Sequence, residues 1–419
     1  MGRKGINLEN VKIRNKSAIL SLLNSQGAMS RKDIAKVVGL TPAAVTLLCT
    51  EMIEDGMLLE KGELQEEKRA GRKKVLVDIN YAYKCVIAVN IEAVYTWITI
   101  SNLQGTALAH KRIRTNAKDK PERLLNEVAK ESKVLLWENQ KKQEDILGVG
   151  ICIPGIVDRK EGISIHAYGI WEEKVSVQRI MEELMHCPVI VENNVKAFAE
   201  GELTYGLGKT DNDLLFVKWG PGVGSAIVIN NQIYEGKENR AAEIGHYIVE
   251  PDGIKCRCGR RGCLETRVSI RAIVDKLRDV FSEENTPGMY QLVKGNVQGV
   301  TEDIFSYWIE KHLGEEELMK EPVVREILCS SIERMARAVV NVMTMLSPDN
   351  TVLYGTMLEN DVIRKIFISY CQKYDAGYTD SNIKVSELSD RISFIGATAI
   401  VTKKYFFEQG MFVNSGRPA

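Results

Sequence analysis

Residues 243–265 read EIGHYIVEPDGIKCRCGRRGCLE and contain His246, Cys256, Cys258 and Cys263 in the spacing H-x9-C-x-C-x4-C. Three thiolates and one imidazole make a complete tetrahedral ligand set for structural Zn²⁺. This cysteine knuckle is rich in Gly, Arg and Lys, so it cannot build its own hydrophobic core, and we expect zinc to organise it. The alternative is a cluster of free or disulfide-bonded thiols, although an odd number of cysteines would leave one unpaired.

The chain has 419 residues, of which 44% are hydrophobic and 27% are charged, which is typical of globular proteins with two or three domains. Its formal net charge is zero, but the charge is unevenly distributed. Residues 1–80 contain 14 Lys and Arg against 10 Asp and Glu, a net of +4, and the remainder contains 42 against 46, a net of −4. A basic N-terminal module on a mildly acidic body suits nucleic-acid binding.

Cysteine usage and hydropathy indicate the compartment. Six of the nine cysteines lie outside the knuckle and are scattered in mostly apolar surroundings. That distribution is typical of buried cytosolic thiols and not of a secreted disulfide framework. The basic N-terminus is not followed by an apolar segment, and no run of about 18 uncharged apolar residues occurs, so we expect neither a signal peptide nor a membrane span. We therefore expect a cytoplasmic protein without a membrane partner.

The first 80 residues have the pattern of a winged helix-turn-helix. An amphipathic helix is predicted over 12–26, and Ser30 and Thr41 are N-cap residues for two further helices, over 31–38 and 42–55. A helix, a short helix, a glycine-containing turn and a third helix follow the helix-turn-helix plan. Strands are predicted at 57–60 and 75–77, with a basic stretch between them that we interpret as a wing.

The third helix of this module begins with small side chains, which let its backbone approach the major groove of an operator duplex and contact thymine methyls. Arginines of the wing suit a narrow minor groove. The alternative is a helical protein-interaction domain with a solvated basic loop. The predicted DNA-binding residues are Ser30, Arg31, Thr41, Ala43, Ala44, Thr46, Arg69, Arg72 and Lys73.

The body alternates strands and helices, which predicts an α/β fold. Loops that follow buried strands line ligand crevices in such folds. Two of these loops carry Gly155 and the run Glu192-Asn193-Asn194, where simple capping of the next helix by Asn is the alternative to ligand contact. The predicted elements are strands at 83–100 (a hairpin), 146–153, 189–191, 214–219, 226–230 and 351–354, and helices at 124–136, 195–205, 270–282, 303–312, 322–345 and 396–407.

The motifs E-x-G-H and C-x-C-G-x-x-G-C-x-E resemble the signature of the ROK family of sugar-responsive bacterial repressors and sugar kinases, and the likeness extends over nearly the whole chain. The resemblance implies an N-terminal winged helix-turn-helix, residues 1–80, and a two-lobed actin-like (ribonuclease-H-like) sugar-binding domain. Lobe 1 would be residues 81–203, completed by 386–419, and lobe 2 would be residues 204–385 with the zinc knuckle. ROK repressors carry the winged helix and ROK kinases do not.

The resemblance also implies a sugar site in the cleft between the lobes. The residue at the position of the kinases' catalytic base is Asn194, and a carboxamide cannot act as a general base at neutral pH. The first phosphate loop of the kinases corresponds to residues 90–94, which lack glycine, and residues 355–358 keep one glycine and add bulk. We expect no catalytic residue, and the implied sugar contacts are Gly155, Asn193, Asn194, Glu243, His246 and Glu265.

Together these features predict a sugar-responsive transcriptional regulator, most simply a repressor of carbohydrate-utilisation genes, that acts as a homodimer or dimer of dimers. The chain resembles the xylose-type repressors of this family, because they also lack the Asp that is the catalytic base of the kinases. The glutamate, histidine and asparagine residues of the implied sugar site would suit aldohexoses, pentoses or N-acetyl sugars alike. Two alternatives stay open: an ATP-dependent ROK sugar kinase, and a regulator controlled by a partner protein.

Overall fold

The computed structural model divides the chain into two compact units. Unit 1 consists of Met1–Tyr205 with Arg391–Ala419, and unit 2 is Gly206–Asp390. The sequence placed the corresponding boundaries of the body after residues 203 and 385. The residues that the structure describes are 8–64, 74–116, 119–209, 213–378 and 381–409.

The N-terminal module of unit 1 has a helix-turn-helix core and a small sheet. Its elements are α1 (Leu8–Gln26), β1 (Met29–Ser30), α2 (Arg31–Val38), α3 (Pro42–Glu54), β2 (Leu58–Leu64) and β3 (Lys74–Ile79). The Ser30 hydroxyl accepts a hydrogen bond from Asp33 N, which starts α2, and Gly39 ends α2 at a left-handed φ of 71°. Thr41 caps α3, and Pro42 is its first residue.

The three strands of this module form an antiparallel sheet in the order β1-β3-β2. Ile34 of α2 and Val45 and Met52 of α3 are fully buried, so the two helices share one apolar interior. Among the described residues, no single helix is long and apolar enough to cross a membrane; α2 and α3 reach that length and apolarity only jointly, across a 117° bend.

The body of unit 1 is built around a five-stranded sheet. Its elements are β4 (Cys85–Ile91), β5 (Tyr95–Asn102), β6 (Ala107–Arg114), α4 (Pro121–Glu138), a 3-10 turn (Gln143–Asp145), β7 (Ile146–Ile153), β8 (Ile156–Asp158), β9 (Ile163–His166), α5 (Val177–Met185), β10 (Val189–Asn193) and α6 (Asn194–Tyr205). The order is β10-β7-β4-β5-β6, with parallel pairs around β7 and antiparallel pairs from β4 to β6. All eight residues of β7 are buried, as expected for a central parallel strand.

Unit 2 contains a second five-stranded sheet covered by helices. Its elements are β11 (Leu214–Trp219), β12 (Val223–Ile229), β13 (Gln232–Ile233), α7 (Glu265–Val268), α8 (Ile270–Asp279), α9 (Pro287–Leu292), α10 (Glu302–Lys311), α11 (Glu315–Lys320), α12 (Pro322–Leu346), β14 (Asn350–Tyr354), α13 (Thr356–Glu359), α14 (Asp361–Tyr374) and β15 (Ile383–Val385), with 3-10 turns at Leu207–Lys209, Lys237–Asn239, Ile244–His246, Val297–Gly299 and Ser389–Arg391. The order β13-β12-β11-β14-β15 repeats that of unit 1: three antiparallel strands followed by two parallel ones. This repeat is the ribonuclease-H-like arrangement predicted for both lobes.

The C-terminal segment returns to unit 1. It forms α15 (Ile395–Val401) and then a π-helix (Thr402–Glu408), where the sequence predicted a single apolar helix over 396–407. α15 packs on β7 and α6, and a Cβ on Gly150 would lie 2.0 Å from Ala397 O, so only glycine permits this approach. α1 of the N-terminal module packs against the π-helix, which joins this module to the body of unit 1.

Candidate functional site

The four predicted metal ligands of the knuckle lie together. The ligand atoms of His246, Cys256, Cys258 and Cys263 all fall within 4.8 Å of one another. Cys258 Sγ and Cys263 Sγ are 3.6 Å apart, and Cys256 Sγ is 3.6 Å from His246 Nδ1. With Zn–S bonds of about 2.3 Å and Zn–N bonds of about 2.0 Å, a tetrahedron has S···S edges of about 3.8 Å and S···N edges of about 3.5 Å. The donor set therefore fits a tetrahedral metal centre. The nine cysteines, all among the described residues, form no disulfide bond.

The knuckle is folded by local backbone contacts and has little apolar interior. His246 ends a 3-10 turn, and a Cβ on the preceding Gly245 would lie 2.2 Å from Val223 O, so glycine lets this turn approach β12. Cys256 N donates to Arg260 O at 2.7 Å, which closes the cysteine loop. Around the buried Cys256 most side chains are exposed, so side-chain packing contributes little to this loop.

Burial acts differently on the four ligands of the knuckle. Burial lowers the pKa of His246, and the nearby Arg260 lowers it further, which favours the neutral imidazole. Burial pushes the pKa of Cys258 upward, but hydrogen bonds from the backbone and side chain of Arg260 outweigh this, and the pKa is lowered. Burial raises the pKa of Cys256 to about 12 and also raises that of Cys263. Neutral imidazole and thiolate are the forms that bind a metal, so a bound metal would displace the protons of these two thiols.

Glu243 faces the ring nitrogen of His246 that points away from the cysteines. Its Oε2 atom lies 4.0 Å from His246 Nε2, whereas Nδ1 is the atom beside Cys256. A carboxylate on the second nitrogen of a metal-binding imidazole fixes the tautomer and orientation of the ring. His246 was predicted both as metal ligand and as sugar contact; its Nδ1 lies beside Cys256, and its Nε2 faces Glu243. The Glu243 side chain is 40% exposed, so solvent reaches it.

Glu265, the second predicted carboxylate, begins α7 and is tied to the glycine-rich turn at 220–225. Its Oε2 atom accepts a hydrogen bond from Val223 N at 3.0 Å, and burial raises its pKa. Arg267, two residues after Glu265, is a nearby cation for the two glutamates. Arg267 instead pairs with Glu250, which was not among the predicted site residues.

The asparagine loop of unit 1 (Glu192, Asn193 and Asn194) joins β10 to α6. Asn193 Oδ1 accepts hydrogen bonds from the N–H groups of Val195 and Lys196, at 2.9 and 3.2 Å, so Asn193 caps α6. Its Nδ2 donates to Gly155 O at 2.8 Å. The capping alternative therefore applies to Asn193, and the carbonyl of Gly155 is already used within the loop. Among the described residues, the second amide hydrogen of Asn193 has no hydrogen-bond partner.

Asn194 has more of its hydrogen-bonding capacity left. Its Nδ2 donates to Glu92 Oε1 at 3.1 Å, and within the part of the chain that the structure describes its carbonyl oxygen and second amide hydrogen have no hydrogen-bond partner. Glu92 lies in the β4–β5 turn, within residues 90–94, the segment that corresponds to the first phosphate loop of the kinases. The turn is closed by Glu92 N donating to Tyr95 O at 3.0 Å, so this N–H is not directed at a ligand.

The structure corrects the interpretation of Met357 and Leu358. Met357 and Leu358 were interpreted as bulk added beside the position of adenosine. Both are fully buried in the core of unit 2, because the short helix α13 turns these apolar side chains inward. They stabilise the core and do not themselves occlude a nucleotide.

In the N-terminal module, two predicted DNA contacts are engaged elsewhere. Ser30 is only 4% exposed, and its hydroxyl donates to Asp33 Oδ2 at 2.6 Å, because capping α2 requires it. Its side chain is therefore removed from the candidate DNA surface. Arg31 is half-buried, and one of its nitrogens donates to Glu60 of β2 at 2.7 Å.

The exposed face of α3 is a stripe of small and apolar side chains. Thr41, Ala43 and Thr46 are exposed as predicted, and Ala44 is half-buried. Leu47 is 62% exposed, and it was missed, although its spacing of four residues from Ala43 places it on the same face. The Thr46 hydroxyl donates to Pro42 O at 2.7 Å, which leaves its methyl group and oxygen lone pairs for a partner.

Three predicted DNA contacts belong to the wing. Arg69, Arg72 and Lys73 lie outside the described residues. The two strands that flank them are present as predicted, paired from Leu58↔Ile79 to Leu64↔Lys74. The strand pair thus supports a wing between α3 and the body.

Known proteins resemble this chain over most of its length. A putative xylose repressor of Caldicellulosiruptor sp. (strain Rt8B.4) is 26% identical over 93% of this chain and 96% of its own. The DNA-binding transcriptional dual regulator NagC of Escherichia coli (strain K12) is 26% identical over 95% and 94%.

Solved structures show the same fold. A ROK family transcriptional regulator, a homologue of the E. coli MLC protein, superposes with a TM-score of 0.73 at 20% identity over 96% of this chain and 98% of its own. A ROK family glucokinase from Streptomyces griseus has a TM-score of 0.62 at 22% identity over 75% of this chain and 98% of its own.

Family models give the assignment of the chain. A winged helix-turn-helix DNA-binding model matches residues 14–58, which contain α2 and α3. The ROK family model matches residues 86–404, well over half of the chain. The chain therefore belongs to the ROK family.

Proposed function

We propose that the protein is a sugar-responsive DNA-binding transcriptional regulator, most simply a repressor of carbohydrate-utilisation genes, and that it is not an enzyme. The full-length relatives named xylose repressor and NagC support this, because they match the winged helix as well as the body. The exposed face of α3 also supports it, since small and apolar side chains suit contact with thymine methyls in the major groove.

The observation that carries the proposal is the placement of α6. This helix of 12 residues, about 18 Å long, begins at the asparagine loop with Asn194. Near its other end, Thr204 O accepts a hydrogen bond from Asn24 Nδ2 of α1 at 3.1 Å. A ligand held by Asn194 therefore acts on one end of a helix whose other end is bonded to the DNA-binding module.

The mechanism is a population shift. A sugar that binds more tightly to one position of α6 shifts the protein toward that position, and the winged helix moves with it. A tenfold change in operator affinity requires about 1.4 kcal/mol of differential binding. A two-fold symmetric dimer, or a dimer of dimers, would place two such modules on two half-sites, and their spacing would change with α6.

The side chains available for a sugar differ between the two units. Unit 1 offers the carbonyl oxygen and one amide hydrogen of Asn194. Unit 2 offers the carboxylates of Glu243 and Glu265, which suit the hydroxyl donors of a sugar. Zn²⁺ in the knuckle would hold the turn that carries Glu243, through His246 and the three cysteines.

The fold shared with glucokinases favours a sugar kinase as the second candidate. Two features at position 194 oppose it. Asn194 has no basic group for taking a proton from a sugar hydroxyl, and the carboxylate of Glu92 lies 3.1 Å from its amide. A base restored at position 194 would therefore face a like charge.

A calorimetric screen of neutral sugars against the full zinc-containing chain tests this proposal, with xylose, glucose and N-acetylglucosamine first. We expect one sugar class to bind and no turnover of ATP in a coupled assay with that sugar. Turnover would establish the kinase instead. Failure of every sugar to bind would favour control by a partner protein.

A further inference from the structure

A cavity of about 370 Å³ in unit 2 lies beside the knuckle and is lined by arginines. One wall is the segment that follows His246, with Arg260 at its edge, and the other wall is α12. Arg334, Arg337 and Asn341 fall on one stripe of α12, since they are three and four residues apart. None of the lining residues is an Asp or Glu.

The neighbouring acids neutralise this cavity only in part. For Arg334 and Arg337 the described part of the chain offers no ion-pair partner within 4 Å, whereas Glu250 pairs with Arg267. Glu333, next to Arg334 in the chain, accepts from Lys373 and Tyr374, at 3.2 and 2.8 Å, and its charge also interacts at longer range with that of Arg337. Guanidinium groups around one cavity repel each other unless an anion joins them.

The ammonium group of Lys276 on α8 indicates the same excess of positive charge behind α12. Burial lowers its pKa, and Arg334 and Arg267 lower it further. Its Nζ donates to the carbonyl oxygen of Arg267 at 3.2 Å. Additional negative charge near α12 would relieve the repulsion among these cations.

We propose that this cavity binds the phosphate group of a small organic phosphate monoester, as a second effector site that goes beyond the sugar response proposed above. Guanidinium forks match phosphate oxygens in bidentate pairs, and three arginines suit a dianion. The volume is at the lower end of the range of about 300–1,000 Å³ for small-molecule pockets. Tyr247 and Ile248, 43% and 58% exposed, offer apolar surface to the organic part, and Asn341 offers an amide.

Binding would connect α12 to the knuckle. Arg260 lines the cavity and also hydrogen-bonds the thiol of Cys258. A phosphate group that engages Arg260 together with Arg334 and Arg337 would therefore hold the cysteine loop against the long helix.

The test is a calorimetric and 31P NMR titration of the full zinc-containing chain with ribose 5-phosphate, glucose 6-phosphate and inorganic phosphate. We expect at least one ester to bind more tightly than inorganic phosphate, because only the ester uses Tyr247 and Ile248. The double variant Arg334→Gln/Arg337→Gln should weaken ester binding at least about tenfold. The matched control Arg325→Gln also removes a charge from α12, but outside the cavity, and should bind as wild type.

Several results would overturn the proposal. The first is that no phosphate compound binds at millimolar concentration. The others are that Arg325→Gln weakens ester binding as much as the double variant does, or that the double variant binds the ester as tightly as wild type. Loss of a dimer in sedimentation of the double variant, with no phosphate binding by wild type, would instead assign the arginines to an interface between copies. If the double variant does not fold, the exposed Arg337→Gln alone is titrated. Binding of neutral sugars and DNA is measured separately, so failure here leaves the proposed function untouched.

Discussion

The asparagine loop of unit 1 and the cysteine knuckle of unit 2 are both polar binding candidates, but different forces hold them in shape. Asn193 is fixed by three hydrogen bonds at the end of a buried strand, and Asn194 is held by Glu92. The knuckle has mostly exposed side chains around four converging ligand atoms. The two loops stand on sheets of the same strand order.

This difference shows how a repeated fold can support two kinds of site. The first loop is preorganised by the protein alone, because capping a helix and pairing with a neighbouring turn satisfy its amides. We propose that the second depends on a metal ion, because its short, glycine-rich and basic sequence buries too little apolar surface. Perturbing the knuckle should therefore change stability strongly, whereas single changes in the asparagine loop should change ligand binding and leave the fold intact.

The largest expected effect comes from Cys258→Ser. Freshly purified wild type should contain about one zinc per chain. The variant should lose the metal, its free energy of unfolding should fall by several kcal/mol, and its sugar response should disappear, because the turn with Glu243 is no longer held. Metal analysis and thermal unfolding measure this. Cys329→Ser, a half-buried thiol of α12, is the control and should keep its zinc. Freshly purified wild type that contains no zinc would show that a metal does not hold the knuckle in shape.

The second largest expected effect is on the affinity for duplex DNA. Leu47→Glu places a carboxylate on the exposed face of α3 and should weaken binding to duplexes at least about tenfold, since it repels phosphates and removes an apolar contact. Leu108→Glu, on the exposed side of β6, is the matched control and should bind as wild type. Gel-shift titration against a duplex selected from a random pool gives both affinities. Equal loss in the control would refute the docking of α3.

The third effect tests the carboxylate beside the knuckle. Glu243→Gln should weaken sugar binding by about 1.5–3 kcal/mol, the scale of a hydrogen bond to a charged group. Its zinc content and its DNA affinity without sugar should stay near wild type. Glu238→Gln, an exposed glutamate close by in the chain, is the control and should bind sugar normally. Unchanged sugar binding by Glu243→Gln would place the sugar contact elsewhere.

The smallest effect should come from Asn194→Asp. The new carboxylate would lie beside Glu92, and two carboxylates in one place raise the pKa of the pair. The variant should match wild type in stability near pH 4, where the pair is protonated, and lose about 1–2 kcal/mol by pH 8, as pH rises through that raised pKa.

Adding Glu92→Gln to Asn194→Asp should restore stability at pH 8, and neither variant should phosphorylate sugar. Denaturant unfolding at several pH values measures this. A stability difference that does not vary with pH would show that the Asn194–Glu92 contact is unimportant.

Much of this arrangement was predictable from local sequence. The metal spacing, the N-caps at Ser30 and Thr41 and the buried strand β7 are encoded within a few residues. β6 was missed because its Lys- and Arg-rich alternation is half exposed, and the division of residues 395–408 into an α-helix and a π-helix has no strong sequence signal. The Asn194–Glu92 contact joins residues 102 positions apart, so no local pattern could reveal it.

A sugar bound by this protein should change its affinity for DNA. The direct test is fluorescence anisotropy of a labelled operator duplex, titrated with the full zinc-containing chain in the presence and absence of the sugar that calorimetry identifies. We predict that the operator Kd changes at least tenfold, equivalent to about 1.4 kcal/mol, and that Asn24→Ala, which removes the hydrogen bond between α1 and α6, reduces this change. An operator Kd that is the same with the protein saturated by sugar as without it would contradict the account.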